Sequence, residues 1–586
     1  MNKLSNKRYK IAFISFVLIL SILIFKIWNN IYTNQYAINS KVVALRGNIY
    51  DSRGRLLATS EVVYTAYLDI RYLKAIAGNA FKRDPDFIKM LSNFGLSEKL
   101  VDLDNKNILR LGSFSKREEI QKKIPPQYLK FVNIEQEERR ISIQDFALNF
   151  IVGRTEQRCG ISGAEAYFDK LLRPIRDGII SISYSSFIVN RVKSVRIEPE
   201  NGKDIRLTID ISLQKKLYDF AKKYQLEKQA TEVGILLMES KTGKIRVALT
   251  TQSWPTYYMG YFEPGSTIKP ILFAAALELG LVTPETNFYC PGYIKPIEGL
   301  DLTIKDLEKH ENITLYDGLV HSCNVVSILT TKKIIDTYGQ EKLYEILTSF
   351  GFGKETGIEL LGEIPGKLNP PDKWYRADWA FIGIGQSIGV TPIQLLAAFN
   401  SIVNDGIYVS PTLDESGEIR TKKILSADTA KIVKTMLLDF VEKGTGVNAK
   451  VDEIKILGKT GTAQKNGKKD VTALFIGQVK LDKEYTILVW VDSPQKEKLS
   501  SIVAAPLFKN VVEELIQYQT KNSQNSNNAE IPNIKGWTIK QLISLANEKK
   551  LNIKIHEKGL YVNKYEFEIT PDGTILNVWL SDLPPL

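Results

Sequence analysis

The sequence predicts an α+β multidomain protein, and three features of the chain carry that prediction. Its 586 residues suffice for about three domains of roughly 100–200 residues each. A single apolar run stands at the N-terminus, apart from the mixed sequence that follows it. From about residue 205 onward, a strand–turn–strand pattern precedes long helical patterns, which is typical of an antiparallel sheet flanked by helices.

The apolar run predicts an N-terminal transmembrane helix over residues 11–31. Residues 11–25 are almost wholly apolar, and four basic residues precede them: Lys3, Lys7, Arg8 and Lys10. Because positive flanks tend to stay in the cytoplasm, we expect residues 1–10 to be a cytoplasmic tail and the rest of the chain to lie outside. A cleaved signal peptide is one alternative, although no small-residue cleavage site follows the run. A buried core helix is the other alternative.

Four further segments follow the apolar run. Residues 32–200 mix short strands with short helices and predict an elongated mixed domain. Residues 201–518 predict the sheet-and-helix domain, and residues 519–530 form a polar, low-complexity linker. Residues 531–586 are long enough for one small α/β module.

Local patterns predict individual elements within these segments. Residues 41–58 alternate apolar and polar side chains around a turn at 51–54, which indicates two strands. Residues 160–172 indicate a loop that enters an amphipathic helix. Residues 204–210 alternate as a strand that leads into a helix, and residues 234–249 predict a hairpin.

Charge and composition exclude several classes of function. The formal net charge is +12, but the basic residues are spread among many acids, so nucleic acid is not an expected partner. The chain has three histidines and three cysteines: His310, His321, His556, Cys159, Cys290 and Cys323. So few histidines leave little for a zinc enzyme or a histidine-based triad. The cysteines lie far apart in the sequence without metal-ligand spacing, so we expect no disulfide framework, metal site or cofactor.

The first candidate catalytic motif is Ser266-Thr-Ile-Lys269. Pro264 and Gly265 precede it and a helical run rich in alanine follows, so we expect Ser266 in the first turn of a helix. A helix N-terminus favours a developing oxyanion, and Lys269 lies one turn away on the same face. A lysine of lowered pKa can take the serine proton. By itself, the motif also fits a helix-capping serine beside a surface lysine.

Two further motifs lie downstream. His321-Ser-Cys-Asn324 stands between two predicted helices, where its hydroxyl can relay a proton and its amide can hold a carbonyl. The strand Ile456-Leu-Gly-Lys-Thr-Gly-Thr462 offers the Lys459 cation to a carboxylate, and Gly461 lets another backbone approach closely. Helix capping and a hairpin turn are the simpler interpretations of these two motifs.

Ser-x-x-Lys, Ser-x-Asn and Lys-Thr-Gly in this order are typical of penicillin-binding proteins and β-lactamases. The chain resembles the class B penicillin-binding proteins, which are bitopic, monofunctional peptidoglycan D,D-transpeptidases. The resemblance extends from the apolar run to about residue 515. Ser387 stands where the family has a glycine, which is a small departure. Other segments are similar to family motifs: 46–54, 160–172, 207–214, 383–392 and 444–446.

The resemblance implies a catalytic set of five residues. Ser266 is then the nucleophile that attacks the D-Ala–D-Ala carbonyl of a stem peptide, with Lys269 as its base. Ser322 and Lys459 assist proton transfer. Asn324 orients the amide of the donor peptide. The terminal D-Ala leaves as the acyl-enzyme forms. The amine of a second stem peptide then attacks the acyl-enzyme and forms the crosslink.

The resemblance also implies the residues that bind substrate. Thr460, Gly461 and Thr462 help to bind the terminal carboxylate, and the backbone N–H groups of Ser266 and Thr462 form an oxyanion hole. Cys323 is an alternative nucleophile, a cysteine paired with His321. Residues two apart rarely face each other, however, and such a pair lacks a third, orienting residue in the sequence.

The implied function is peptidoglycan crosslinking at the division septum of a bacterium, with the catalytic domain outside a single-pass cytoplasmic-membrane anchor. The implied partners are stem peptides, β-lactam antibiotics and a membrane glycosyltransferase. Residues 32–200 become the pedestal, residues 201–518 the transpeptidase domain, and residues 531–586 resemble a PASTA module. An elongation-type transpeptidase, a D,D-carboxypeptidase, a β-lactamase and a non-catalytic scaffold are the alternatives.

Overall fold

The chain folds into two compact units. The computed structural model describes residues 2–33, 35–99, 103, 106–143, 147–185, 192–465, 470–524, 534–535, 537–549, 551–557, 561–570 and 573–581. The first unit comprises residues 1–47, 60–140 and 173–203, and the second comprises residues 48–59, 141–172 and 204–586. Residues 48–59 and 141–172, which we predicted within the segment 32–200, group with the second unit.

The first unit is a mixture of strands and short helices. One antiparallel sheet places Gly178–Ser185 between Gln35–Val42 and Val192–Ile197. The strand Leu56–Asp69, of which residues 60–69 belong to this unit, pairs with Ile108–Phe114 and with Val132–Ser142. The helices and 3-10 turns are Asn2–Thr33, Ile70–Ala77, Ala80–Arg83, Pro85–Asn93, Arg117–Lys123 and Pro126–Phe131.

The N-terminal run is helical, within the helix Asn2–Thr33. In the described part of the chain, no helix is both long enough and apolar enough to cross a membrane. The transmembrane helix over residues 11–31 therefore stays a prediction.

The second unit is built on a five-stranded antiparallel sheet. Its strands are β1 (Glu232–Glu239), β2 (Ile245–Thr250), β3 (Ile456–Lys465), β4 (Asp470–Lys480) and β5 (Glu484–Asp492). Their order is β2-β1-β5-β4-β3, so β3 is an edge strand. The hairpin predicted over residues 234–249 is confirmed as β1 and β2, and the antiparallel sheet is confirmed with it.

The remaining elements of the second unit are short strands and helices. The strands are Ile49–Tyr50, Thr155–Glu156, Cys159–Gly160, Ile205–Arg206, Asn287–Cys290, Tyr293–Ile294, Ile304–Lys305, Glu311–Thr314, Ile407–Val409 and Thr421–Lys423. The helices and 3-10 turns up to residue 524 are Asn149–Val152, Gly163–Tyr167, Asp169–Leu172, Ile211–Lys228, Thr256–Met259, Gly265–Ile268, Lys269–Glu278, Leu315–Val320, Asn324–Tyr338, Gln340–Ser349, Pro371–Lys373, Asp378–Ile382, Pro392–Val403, Ala427–Glu442, Val447–Ala449 and Ser500–Gln524.

Both faces of the central sheet are apolar and covered by helices. Leu236, Leu474 and Leu488 belong to the core that contains the helices Lys269–Glu278 and Asn324–Tyr338. Neighbouring strand residues belong to the core on the opposite face, which the helices Ile211–Lys228 and Ser500–Gln524 complete. Because side chains alternate along a strand, each strand feeds both cores. The result is a helix–sheet–helix arrangement.

An ion cluster explains why residues 48–59 group with the second unit. The carboxylate of Asp51 accepts hydrogen bonds from the Arg55 backbone at 2.8 Å and from the Arg55 guanidinium at 2.7 Å. Asp210, which caps the helix Ile211–Lys228, binds Arg53 at 2.8 Å and Arg55 at 2.5 Å. Burial raises the pKa of Asp210, but the two guanidinium groups outweigh it and lower that pKa to about 2. The turn predicted at 51–54 is present.

Two local predictions need correction. The strand predicted over residues 204–210 is confined to Ile205–Arg206, because Asp210 turns inward as a helix cap. The segment 160–172 contains two short helices, Gly163–Tyr167 and Asp169–Leu172, rather than one.

The C-terminal part combines one helix, Ile539–Lys549, with three strands, Asn552–Glu557, Tyr561–Thr570 and Gly573–Ser581. The last strand lies in the middle, parallel to the first and antiparallel to the second. The helix Ser500–Gln524 includes residues 519–524, which we predicted as linker. Residues 525–530 and most of the predicted PASTA opening at 531–536 lie outside the described residues.

Candidate active site

Ser266 lies in a short 3-10 turn, Gly265–Ile268, that runs directly into the helix Lys269–Glu278. Residues i and i+3 eclipse in a 3-10 helix, so Ser266 and Lys269 lie on the same side. Ser266 is partly exposed, whereas the side chain of Lys269 is fully buried. The sequence predicted a helix start at Ser266, and the structure confirms it in this tighter form.

The Lys269 ammonium group joins the first motif to the second. Its Nζ donates to the Ser322 carbonyl at 2.6 Å and to Asn324 Oδ1 at 2.7 Å, and it lies 3.4 Å from Ser322 Oγ. Within the described ranges its hydrogen bonds do not include Ser266 Oγ. Burial lowers the pKa of Lys269 to about 8, although the negative charge of Asp306 opposes that shift.

Lys459 completes a buried lysine–serine–lysine network. Its Nζ donates to Ser322 Oγ at 2.8 Å and to the Thr460 carbonyl at 3.2 Å. The ring of Phe440 lies 4.2 Å from this nitrogen, which is a cation–π distance. Burial, reinforced by the charge of Lys269, lowers the pKa of Lys459 well below its ordinary value. Both lysines therefore have a reduced tendency to carry a proton.

The Ser-Cys-Asn turn is held in an unusual conformation. Ser322 has a φ of +58°, in the left-handed region, and its hydroxyl accepts a hydrogen bond from Lys459. Cys323 caps the helix Asn324–Tyr338 through its sulfur. The Asn324 side chain donates to the Lys305 carbonyl at 3.1 Å, so its Oδ1 faces Lys269. Each of the three residues thus has a defined partner.

The third motif supplies the wall of the site. Thr462 is exposed on the edge strand β3, while Gly461 is buried. A Cβ atom on Gly461 would lie 2.7 Å from the Pro264 carbonyl oxygen, and one on Gly265 would lie 2.9 Å from the Thr462 carbonyl oxygen. The close backbone approach expected of Gly461 is therefore present, and it sets the start of the Ser266 turn against β3.

One backbone donor of the site is available to a ligand. Within the described ranges, no acceptor takes the N–H of Ser266. The backbone of Thr462 lies next to Gly265, which directly precedes Ser266 in the chain. The proximity of these two backbone segments is what an oxyanion hole needs.

The environment of Cys323 does not suit it to act as the nucleophile. The Cys323 thiol donates to Asp306 Oδ2 at 2.7 Å, and burial together with the Asp306 charge raises its pKa. A thiol with a raised pKa is a poor nucleophile. His321 is exposed, and the hydrogen bonds of the Cys323 sulfur go to Asp306 and to the N–H of Val326.

Sequence reasoning missed three contributors to the site. Asp306 accepts a hydrogen bond from the backbone N–H of Asn324 at 3.1 Å. The hydroxyl of Ser500 binds Thr462 Oγ1 at 2.7 Å and also donates to the Gly461 carbonyl. The ring of Phe440 faces the ammonium group of Lys459. None of them belongs to a short motif, because each reaches the site from a distant segment. One hydrogen-bond network joins four of the predicted residues: Lys269, Ser322, Asn324 and Lys459. Thr460 joins this network only through its backbone carbonyl.

Comparisons with known proteins agree with this geometry. The family model described as "Penicillin binding protein transpeptidase domain" matches residues 233–513. Stage V sporulation protein D of Bacillus subtilis is 27% identical, over 92% of this chain and 90% of its own length. Peptidoglycan D,D-transpeptidase FtsI of Buchnera aphidicola is 28% identical, over 61% of this chain and 66% of its own length.

A solved structure shares the fold. Penicillin binding protein 3 from Mycobacterium tuberculosis, complexed with aztreonam, aligns with a TM-score of 0.60 at 23% identity, over 82% of this chain and 97% of its own. The matched family segment contains all three motifs and nearly all of the central sheet, whose edge strand β3 carries the third motif. Residues 233–513 therefore form a penicillin-binding protein transpeptidase domain.

Proposed function

We propose that the protein is a peptidoglycan D,D-transpeptidase that crosslinks stem peptides through an acyl-enzyme on Ser266. The observation that carries this proposal is the buried Lys269–Ser322–Lys459 network beside the turn of Ser266. Two buried lysines of lowered pKa are costly for a fold, and such groups are concentrated at functional sites.

The first step is acylation of Ser266. Its Oγ attacks the carbonyl carbon between the two D-alanines of a donor stem peptide and forms a C–O bond. Neutral Lys269 takes the hydroxyl proton, for which its pKa of about 8 is well suited. The C–N bond then breaks, and the terminal D-alanine leaves as an amine after it gains a proton.

The proton for the leaving amine has a route in the network. Ser322 Oγ lies 3.4 Å from Lys269 and 2.8 Å from Lys459, so it can pass a proton between the site and either lysine. We assign Asn324 to the donor amide, since its carboxamide already lies beside Lys269. Thr460 and Thr462 on β3, with the charge of Lys459, are assigned to the terminal carboxylate.

The tetrahedral intermediate needs donors for its oxyanion. We assign the backbone N–H groups of Ser266 and Thr462, which the close packing of Gly265 against β3 supports. Removal of one such donor typically costs about 10²–10³ in rate. Backbone donors cannot be deleted by side-chain substitution, so distortion of this packing is the accessible test.

The second step decides between two activities. In transpeptidation, the amine of a second stem peptide attacks the acyl-enzyme, and a crosslink forms as Ser266 is released. In D,D-carboxypeptidation, water takes the place of that amine. Relatives such as Peptidoglycan D,D-transpeptidase FtsI support the first activity.

The setting we propose is the outer side of the cytoplasmic membrane at the division septum. Residues 11–31 would anchor the chain, because the apolar side chains from Phe13 to Trp28 in this helix are exposed and need a non-aqueous environment. A membrane glycosyltransferase would supply the glycan strands. The module at 531–586 would contact the wall or a partner, as a PASTA module does.

Product analysis with labelled stem peptides tests the proposal. The full-length protein is expected to release D-alanine and to form a crosslinked dimer, and Ser266→Ala is expected to do neither. Ser349→Ala, at the end of the helix Gln340–Ser349, is the matched control and keeps full activity. Release of D-alanine without a dimer would assign the chain to the carboxypeptidases. Complementation of a deletion strain by Ser266→Ala would favour a scaffold instead.

A further inference from the structure

Four side chains that can bind a metal ion converge behind the Ser-Cys-Asn turn. Their ligand atoms all lie within 4.8 Å of one another, and we call them the four-ligand cluster: Cys290, Asp306, His310 and Cys323. They come from four places in the chain: the end of the strand Asn287–Cys290, the residue after Ile304–Lys305, the residue before Glu311–Thr314, and the cap of the helix Asn324–Tyr338. Pairing of Cys290 with Glu311 across two of these strands brings the first and third ligands together.

The spacing of the ligand atoms is close to a tetrahedron. Tetrahedral Zn²⁺ with Zn–S near 2.3 Å and Zn–N or Zn–O near 2.1 Å requires about 3.6 Å between a sulfur and a nitrogen or oxygen ligand. Cys290 Sγ lies 3.6 Å from His310 Nδ1 and 3.3 Å from Asp306 Oδ2. Asp306 Oδ2 lies 3.7 Å from His310 Nδ1. Cys323 Sγ, at 2.7 Å from Asp306 Oδ2, must move outward to reach this spacing.

The cluster is buried and its carboxylate is already oriented. Both cysteines are fully buried, and the side chains of Asp306 and His310 are only 1% and 13% exposed. The backbone N–H of Asn324 donates to both oxygens of Asp306 at 3.1 Å, and the N–H of Leu307 donates at 2.9 Å. Outer contacts of this kind fix the ligands of metal sites.

We propose that the four-ligand cluster binds one Zn²⁺ ion and that this ion stiffens the Ser-Cys-Asn turn of the active site. Two sulfurs, one imidazole nitrogen and one carboxylate oxygen in tetrahedral array are the donors that Zn²⁺ prefers. On binding, the thiols of Cys290 and Cys323 each form an S–Zn bond and release one proton to solvent. All four positions are filled by protein, which is the pattern of a structural site rather than a catalytic one.

The ion would act on the active site through two short connections. Cys323 lies between Ser322 and Asn324, and Asp306 binds the backbone of Asn324 directly. Lys269 in turn donates to Ser322 and Asn324. A metal that holds Cys323 and Asp306 therefore holds the partners of Lys269, so the cluster residues are positioning residues.

Zinc titration of the full-length protein tests the proposal. The protein is reduced, stripped with a chelator and titrated with Zn²⁺, and bound metal is counted by mass spectrometry of the element. We expect one Zn²⁺ per chain. Cys290→Ser and His310→Ala should weaken binding by at least about 100-fold. Cys159→Ser is the matched control, because this partly exposed cysteine lies outside the cluster, and it should bind like the native chain.

A second readout needs no variant. Co²⁺ added to the stripped native chain should give the intense visible bands of a tetrahedral site and the near-ultraviolet bands of cobalt–thiolate bonds. Reduced, folded protein that takes up no Zn²⁺, or that gives only octahedral Co²⁺ bands, would overturn the proposal. So would equal Zn²⁺ binding by the cluster variants, or a Cys290–Cys323 disulfide that persists when reductant and Zn²⁺ are supplied together. None of these readouts depends on transpeptidation.

Discussion

The pH dependence of acylation follows from the burial of Lys269. We propose that the lysine acts as a base only when it is neutral, so the acylation rate rises with pH and levels off above the pKa. With a pKa of about 8, about 9% of the lysine is neutral at pH 7 and about 91% at pH 9. The rate is therefore expected to rise about tenfold across this range and then to stay level.

An unburied lysine would give a different curve. With an ordinary pKa of about 10.4, the neutral fraction would rise roughly 100-fold between pH 7 and 9 and would continue to rise beyond pH 10. The position of the plateau therefore reports whether Lys269 is the titrating base. Lys269→Arg removes the titration, because an arginine does not lose its proton, and should slow acylation by about 10²–10⁴.

The assay is the second-order rate of acylation by a fluorescent penicillin between pH 6 and about 10.5, at constant ionic strength. Lys332→Arg, an exposed lysine on the helix Asn324–Tyr338 paired with Asp336, is the control and should leave the profile unchanged. A rate that is flat from pH 7 to 9, or that has no plateau before about pH 10, would refute the assignment of Lys269 as a base of lowered pKa.

Three further predictions concern packing around the active site and the ion cluster of the second unit. Gly461→Ala should cost roughly 1–3 kcal/mol in unfolding free energy and slow acylation, because its Cβ would meet the Pro264 carbonyl at 2.7 Å; urea unfolding and acylation kinetics measure the two effects. Ser500→Ala should slow acylation about 5–10-fold, the equivalent of about 1–1.5 kcal/mol for its hydrogen bond to the Gly461 carbonyl; an unchanged rate would contradict this role. Asp210→Ala should destabilise the second unit by about 1.5–3 kcal/mol, since Arg55 keeps Asp51 but loses this second carboxylate partner. The pKa of about 2 at Asp210 means that this stability is present above about pH 4 and is lost as the pH falls toward 2; thermal unfolding between these values checks the sign.

The sequence was most informative where chemistry and local structure coincide. Ser266 and Lys269 are three residues apart on one helix start, so their proximity follows from helix geometry alone. The hairpin of β1 and β2 follows from alternation and a turn. That the three motifs meet in one site could be predicted only from the resemblance to a known family. No pattern in the sequence indicates that Ser322 and Lys459, which are 137 residues apart, share a hydrogen bond.

The sequence was least informative where distant residues meet. Cys290 and Cys323 looked unrelated, yet short strands between them fold back and bring their sulfurs to one cluster. Ser500 and Phe440 contribute one side chain each from long helices whose other residues serve the core. Burial also decides the charge of Lys269 and Lys459, and no residue pattern states how deeply a lysine will be buried. Tertiary packing supplied that information.

The most direct test of the central claim is the site of penicillin attachment. Full-length protein is incubated with a labelled penicillin, digested and mapped by mass spectrometry. We predict a single adduct on the peptide that contains Ser266, with fragment ions that place it on that serine, and no adduct in Ser266→Ala. An adduct on Ser322 or Cys323, or folded protein that forms none, would contradict this prediction.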